Sequence, residues 1–310
     1  MVDVRAVAER LTEGVEQVLL GKREVIRQTL VALFAGGHVL LEDVPGVGKT
    51  LLARALARCL GGSSRRVQFT PDLLPTDVTG VTLYEQRTGE FRFRPGPVFS
   101  NILLADEINR ASPKTQSALL ECMEELTVTI DGLAHPISRP FMVIATQNPI
   151  EFEGVYPLPE SQMDRFMLRL QLGYPGHEHE RALLRRDPAS DPLAQIEPVV
   201  DLATVVECQR ALVGVHCDER LEDYLLDLIE ATRADSRVRL GASPRAALAL
   251  STTARARALI EGRDYVLPDD LQALALPVLA HRLHLDSALR GHSQGAETVV
   301  RDLLAKVPAP

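Results

Sequence analysis

The sequence predicts an α/β protein in which an open parallel sheet, interrupted by two β-hairpin insertions, is followed by a smaller all-helical domain. Three observations lead there. Short continuous apolar runs of the kind buried parallel strands show stand at 38–41, 102–105 and 141–146, and stretches of helical spacing lie between them. A glycine-rich loop sits between the first run and the helix after it. After Tyr174-Pro175-Gly176 the apolar spacing becomes helical to the end. The expected division is therefore 1–175 for the α/β part and 176–310 for the helical part, and 310 residues are enough to bury both.

Element by element, Val4, Val7, Ala8, Leu11, Val15, Val18 and Leu19 repeat at helical spacing over 4–20, with Gly21 as the stop. A second helix is expected from Arg23 to Ala35. The strand at His38-Val39-Leu40-Leu41 runs into Glu42-Asp43-Val44-Pro45-Gly46-Val47-Gly48-Lys49-Thr50, and the helix after it, starting at Leu51, is stopped by Gly61-Gly62. A second strand, Ile102 to Ala105, ends in Asp106-Glu107; a third, Phe141 to Thr146, ends in Gln147-Asn148-Pro149. Ser112-Pro113 opens a helix, serine as cap and proline in the first turn. A fourth strand, Met167 to Leu172, has polar residues at alternate positions and belongs near a sheet edge.

Two stretches depart from this plan. Val81–Tyr84 and Phe91–Arg94 alternate around Arg87-Thr88-Gly89, and 126–130 and 133–137 flank Asp131-Gly132. Both read as hairpins that leave the core, the plain alternative being that they extend the sheet. In the helical part Gly241, Gly262 and Pro268 read as stops, and Asp187 to Pro198 as a linker or surface loop.

Composition narrows the class. Apolar residues at 45% and charged residues at 25% are ordinary for a globular protein. A net charge of −8, from 34 basic and 42 acidic residues, argues against tight binding to bare nucleic acid, which needs a basic surplus. Cys59, Cys122, Cys208 and Cys217 are scattered with no Cys-x-x-Cys pair and read as reduced core thiols rather than a metal site. No apolar run approaches a membrane span, and the N-terminal stretch carries acids unlike a signal peptide, so a cytoplasmic protein is expected.

The chemistry lies at the strand ends. ATP is densely anionic, and a site for it needs backbone N–H groups, a helix N-terminus and a cation converging on one point. Gly46 and Gly48 let the backbone curl round phosphates, Lys49 reaches the β- and γ-phosphates, and Thr50 offers a hydroxyl to Mg²⁺. Val44, Pro45, Val47 and Leu51 complete the loop and the start of its helix; Asp43 stands where the usual pattern has glycine, and Pro45 can fix the turn instead. Asp106 is expected in the Mg²⁺ shell and Glu107 as the general base on the attacking water. Asn148, at the end of a parallel strand, is placed to hold that water or the γ-phosphate; the plain alternative is an Asx turn before Pro149.

Two arginines complete the candidate set. Arg245, in Gly241-Ala242-Ser243-Pro244-Arg245, falls in the first turn of a capped helix, where a cation opposes the macrodipole, so an anionic group is expected to face it. Arg165, in Asp164-Arg165-Phe166 just before the fourth strand, could leave the domain surface. Simple solvation is the plain reading of each.

Taken together these residues resemble the AAA+ ATPases and, within them, the MoxR family. The resemblance rests on Gly37-His38-Val39-Leu40-Leu41 with its phosphate loop, Leu104-Ala105-Asp106-Glu107-Ile108-Asn109-Arg110-Ala111, Ala145-Thr146-Gln147-Asn148-Pro149, Tyr156-Pro157-Leu158-Pro159-Glu160 with Asp164-Arg165-Phe166, and Gly241–Arg245. It implies an AAA+ core and helical lid, with Lys49 and Thr50 as Walker A residues, Asp106 and Glu107 as Walker B, and Asn148 as sensor 1. It also implies Arg165 as arginine finger, Arg245 as sensor 2 acting in cis or in trans, and an adenine-side loop beginning at Gly21-Lys22. The hairpins match the helix-2 insert and pre-sensor-1 hairpin of the clade that also holds chelatase and MCM motors. Such a protein is expected to bind ATP and Mg²⁺, form a homo-oligomer, in this family a hexameric ring, and remodel or activate a client protein, often one with a von Willebrand A domain. A metal-chelatase ATPase subunit, a nucleic-acid motor and a nucleotide-sensing module without turnover remain the alternatives. The intact Glu107 and Arg165 weigh against the last.

Overall fold

The computed structural model describes residues 2–148, 156–185, 191–286 and 293–310. Pro149 and positions 187–190 of the expected linker lie outside the described residues. The remainder of that linker forms a 3₁₀ turn over Pro192–Gln195 with Leu193 buried.

The chain opens with α1 (Val4–Glu16), capped by the Asp3 carboxylate on the Ala6 N–H, and α2 (Arg23–Phe34). The first helix stops four residues short of the expected span. Val18 and Leu19 are buried all the same, in turns that carry Leu19 to the phosphate loop. Then come β1 (Val39–Glu42), α3 (Lys49–Cys59), β2 (Ser64–Gln68) and the short α4 (Pro75–Thr79). The first hairpin is β3 (Gly80–Glu85) with β4 (Glu90–Pro95); β5 (Ile102–Asp106) and α5 (Pro113–Glu125) follow, the helix capped by Ser112. The second hairpin, β6 (Thr127–Ile130) with β7 (Leu133–Pro136), precedes β8 (Met142–Gln147), α6 (Glu160–Met163) and β9 (Leu168–Leu170).

The main sheet is parallel throughout, in the order β2-β5-β8-β1-β9. It has five strands where four were legible. The missed strand, β2, reads Ser-Arg-Arg-Val-Gln; as an edge strand it buries only Val67, so it lacks the apolar run that marks its neighbours. At the other edge lies β9, as its polar alternation implies. Each hairpin forms a separate two-stranded sheet, so neither extends the main one. They touch through Phe93, whose ring stacks on His135 at 4.1 Å between centroids.

Side-chain alternation covers both faces of the sheet. Val39, Leu41, Ile102, Leu104, Met142 and Ile144 join a cluster with the first three helices and the later ones. Leu40, Leu103, Ala105, Val143 and Ala145 pack with α5 and the hairpin bases. The first cluster is continuous across residue 175.

Beyond it lie α7 (His177–Leu184), α8 (Leu202–Ala211), α9 (Glu219–Ala234), β10 (Val238–Leu240), α10 (Pro244–Ile260), α11 (Pro268–Leu279), β11 (His284–Leu285) and α12 (Ser293–Lys306). This part is helical apart from a small antiparallel ribbon, β10 with β11. Pro268 opens a helix rather than stopping one, because its missing N–H costs nothing in a first turn. All four cysteines are free; burial pushes the Cys59 and Cys208 thiols up to about 11 and Cys122 to about 12. Among the described residues no His, Cys, Asp and Glu cluster could hold a metal ion, and no helix is long and apolar enough to cross a membrane.

Candidate functional site

Parallel pairing brings the carboxyl ends of β5, β8 and β1 side by side, so Asp106-Glu107, Asn148 and the 43–50 loop share one edge of the sheet. The loop turns on glycine geometry. Gly46 (φ +86°) and Gly48 (φ +103°) are left-handed, and a side chain on Gly48 would stand 2.9 Å from a methyl of Leu19. Gly48 is also the N-cap of α3 and has no side-chain cap, so the first-turn N–H groups of that helix remain for an anion. Lys49 folds over the loop mouth, donating from Nζ to the carbonyls of Asp43 (2.9 Å) and Val44 (3.3 Å). Thr50 and Leu51 are half-buried in the opening turn, Pro45 is exposed, and Val47 anchors the loop in the core. This donor set, uncapped helix N–H groups with an ammonium and a hydroxyl, fits a triphosphate with Mg²⁺.

Asp43 owes its place to the strand beside it. Its buried carboxylate accepts from the N–H groups of Leu172 and Gly173, just past β9, and so ties the start of the loop to the exit from the sheet. A glycine there could make neither bond.

The two carboxylates after β5 are held differently. Asp106 is buried; one oxygen accepts from the Thr146 hydroxyl at 2.6 Å and the other from the Arg66 guanidinium at 2.7 Å. Thr146 in turn accepts from the Glu107 N–H at 2.8 Å. That bond holds Glu107 in the left-handed region (φ 56°, ψ 51°), which costs a non-glycine residue on the order of 1 kcal/mol. The Glu107 carboxylate, half-buried at the sheet edge, accepts from Gln68 at 2.7 Å and Arg110 at 3.0 Å. Arg66 and Gln68 both come from β2, the strand the sequence hid. The only signal for them was alternation around Val67.

Asn148 is buried at the end of β8, between the loop and the carboxylates. Gly21 (φ +70°) lies against the His179 ring, where any side chain would collide at 2.5 Å. Lys22 donates from Nζ to the carbonyls of Leu172 and Tyr174, so the segment joining α1 to α2 is fastened to the chain leaving the sheet.

The two candidate arginines lie elsewhere. The Met167 N–H donates to the His38 carbonyl, which sets Arg165 beyond the amino end of β1. The phosphate loop begins at Asp43, past the other end of the strand. Five residues at about 3.3 Å each put roughly 17 Å between these levels, farther than an arginine side chain extends. Arg245 stands with Arg165. Glu124, near the end of α5, pairs with Arg165 at 3.1 Å and also with Arg245, and is the anion that the helix-terminal arginine was expected to face. Arg165 further donates to the Leu120 carbonyl at 2.6 Å. Both arginines line an open cavity of about 270 Å³ together with His38, Asp164, Leu248 and Arg282. The structure thus divides the candidate residues into two groups on opposite edges of the sheet.

Comparison with known proteins agrees with this architecture. The family described as "ATPase family associated with various cellular activities (AAA)" matches residues 38–168, and the AAA lid domain matches 230–303. The Bacillus subtilis protein YeaC is 48% identical over 99% of this chain and 96% of its own. Chaperone MoxR1 of Mycobacterium tuberculosis is 43% identical over 97% of this chain and 82% of its own. Protein MoxR of Methylorubrum extorquens is 33% identical over 100% of this chain and 97% of its own. A crystal structure of a protein from Cytophaga hutchinsonii superposes with a TM-score of 0.90 at 40% identity, covering 99% of this chain and 96% of that one.

Proposed function

Because the chain belongs to the MoxR family of AAA+ ATPases, we propose that it binds Mg·ATP on the 43–50 loop, hydrolyses it with Glu107, and uses the cycle to remodel or activate a client protein. The observation that carries this reading is the division of the candidate residues between two edges of one sheet. Phosphate-binding and water-activating groups lie at the carboxyl edge, while Arg165 and Arg245 lie roughly 17 Å away by strand rise, beyond reach of the same nucleotide. An arrangement of that kind works when a second copy brings its loop to the arginines, as in a ring.

In this reading Lys49 leaves the carbonyls of Asp43 and Val44 to meet the β- and γ-phosphates, and the first-turn N–H groups of α3 hold the phosphate oxygens. Thr50 and Asp106 hold Mg²⁺, which when bound supplies neutralising charge on those oxygens. Asp106 is held at both oxygens, Oδ1 by the Thr146 hydroxyl and Oδ2 by two nitrogens of Arg66, so its carboxylate would be fixed in place where the ion is to be held. Glu107 takes the proton of the attacking water, and Asn148 orients that water or the γ-phosphate. Gly21 and Lys22 border the adenine. Arg165 and Arg245 of a neighbouring copy stabilise the charge that develops on the transferred group; such an arginine is worth roughly 10³–10⁵ in rate where measured. The client, by analogy with a relative named a chaperone, is another protein, and the family points to one carrying a von Willebrand A domain and to a hexameric ring.

The test is complementation. Arg165→Ala and Lys49→Ala chains should each be nearly inactive, whereas mixed under conditions of subunit exchange they should regain part of the ATPase activity. Some interfaces in the mixture pair an intact loop with an intact arginine. No regain on mixing, with activity linear in protein concentration, would remove the shared-site reading.

A further inference from the structure

Arg165 and Arg245 come from different parts of the chain, one from the turn before β9 and the other from the first turn of α10. Their guanidinium groups nevertheless meet at the same carboxylate, Glu124. Behind them their backbones are joined at a second carboxylate. Asp164 immediately precedes Arg165, and its Oδ2 accepts from the hydroxyl of Ser243 at 3.1 Å. Ser243 is the N-cap of α10, accepting through the same oxygen from the Ala246 N–H at 3.2 Å, and Arg245 lies two residues along that helix. The other oxygen of Asp164 accepts from Arg282 Nε at 2.6 Å.

Arg282 makes this junction rigid. Its side chain is 3% exposed, and besides Asp164 Oδ1 it donates to the carbonyls of Asp164 (3.2 Å), Phe166 (2.8 Å) and Met167 (3.2 Å). The turn carrying Arg165 is therefore fixed on both flanks by one buried guanidinium. A buried arginine with a carboxylate and several carbonyls is costly to disturb and defines a single geometry. Arg165 itself is only partly tied, its buried Nε having no hydrogen-bond partner among the described residues. Its aim is set by the backbone beneath it together with its bonds to the Leu120 carbonyl and Glu124.

We infer that Asp164 is a positioning residue: by joining the Arg165 turn to the cap of the Arg245 helix it makes the two arginines one two-pronged unit directed at a single phosphate group. The inference rests on the shared-site reading above, in which these arginines serve a neighbour's ATP. It adds that the spacing of the prongs is set by a carboxylate that touches neither phosphate nor water. Two guanidinium groups can act on one developing charge only if their separation is held to within a fraction of an ångström, and the rate is sensitive to that separation where nucleotide affinity is not.

The experiment uses the full-length chain with Asp164→Asn, and Ser243→Gly as the milder variant. The latter removes the hydroxyl while retaining a residue that the N-cap tolerates. Asp164→Asn is expected to lower kcat by about 10- to 100-fold with KM for ATP and binding of a fluorescent ATP analogue within about twofold of wild type, and Ser243→Gly to lower kcat several-fold in the same pattern. Mixing Asp164→Asn with Lys49→Ala chains should restore activity, because the first supplies sound loops and the second sound arginine pairs. A residue that merely held up the fold would damage its own loop as well and gain nothing from mixing. A kcat within twofold of wild type for both variants overturns the inference. So does an Asp164→Asn chain that stays inactive on mixing while Arg165→Ala is rescued. If Arg165→Ala itself is not rescued, the shared-site reading fails, and the inference with it.

Discussion

His38 gives this protein a dependence on acid that can be worked out from its surroundings. The ring is buried at the amino end of β1; Nδ1 accepts from the Val143 N–H at 3.0 Å, and Nε2 faces the Met123 carbonyl at 3.1 Å. Those partners assign the neutral tautomer with its proton on Nε2. A second proton would have to sit on Nδ1, against a backbone N–H and away from water. Burial, only partly opposed by the bond to Met123, lowers the pKa to about 4 from 6.5. The unfolded chain therefore takes up a proton near pH 6.5 that the folded chain refuses until about pH 4. The corresponding stability is complete above pH 6.5 and is lost as pH falls toward about 4. At about 1.4 kcal/mol per pH unit, that gap is worth about 3 kcal/mol. The comparison to make is His38→Gln, whose amide can both donate and accept but does not titrate. Urea unfolding of the two proteins at one concentration, from pH 7.5 down to 4, should show the wild type losing about 3 kcal/mol more than the variant. His281, also buried and lowered by desolvation, is common to both proteins and cancels in the difference. Curves that run parallel to within about 1 kcal/mol would show that the buried ring is not what resists protonation.

Two further outcomes separate the parts of the loop. Lys49→Ala should weaken binding of a fluorescent ATP analogue at least tenfold, whereas Glu107→Gln should bind within about threefold of wild type and lose on the order of 10²–10⁴ in turnover, the range of a general base. Near-wild-type turnover by the glutamine variant would remove Glu107 from that role. Asp43→Gly, although it restores the residue usual at the head of such loops, should lower the urea midpoint by an amount equivalent to about 2–4 kcal/mol. The Leu172 and Gly173 N–H groups lose a charged acceptor and a flexible residue replaces a fixed one. An unchanged midpoint would mean that the carboxylate contributes nothing there.

What could be read in advance follows from burial. β1, β5 and β8 are covered on both faces, so their residues are almost continuously apolar and the strand ends, where Asp106, Glu107 and Asn148 lie, stand out. β2 is an edge strand with one buried side chain, and an Arg-Arg-Val-Gln run gives no such contrast. The cost was functional as well as topological, because Arg66 and Gln68, which hold Asp106 and Glu107, went unseen with it. Asp43 was visible as a departure from the glycine pattern. Its cause was not, since both its partners lie about 130 residues along the chain.

The arginines show the same limit and also how far local reasoning reaches. A cation in the first turn of α10 sits against the helix dipole, and that fact alone called for an anion. The anion is Glu124, 121 residues away in sequence. Nothing in the spacing of 124, 164, 165, 243, 245 and 282 could show that they meet, because the meeting is made by the helical part folding back on the amino edge of the sheet. The arrangement also bears on whether Arg245 serves its own nucleotide or a neighbour's. Moving it to its own phosphate loop would require breaking Ser243 from Asp164 and drawing Asp164 away from Arg282, whose guanidinium is buried with five acceptors around it. Leaving the junction whole and bringing a second copy's loop to it requires that Glu124, partly exposed, give up two ion pairs, each worth about 1 kcal/mol, and that Arg165 release the Leu120 carbonyl, a bond worth about 1 kcal/mol more. The second route is the cheaper by several kcal/mol, which supports the proposal that Arg245, with Arg165, serves a neighbour's ATP.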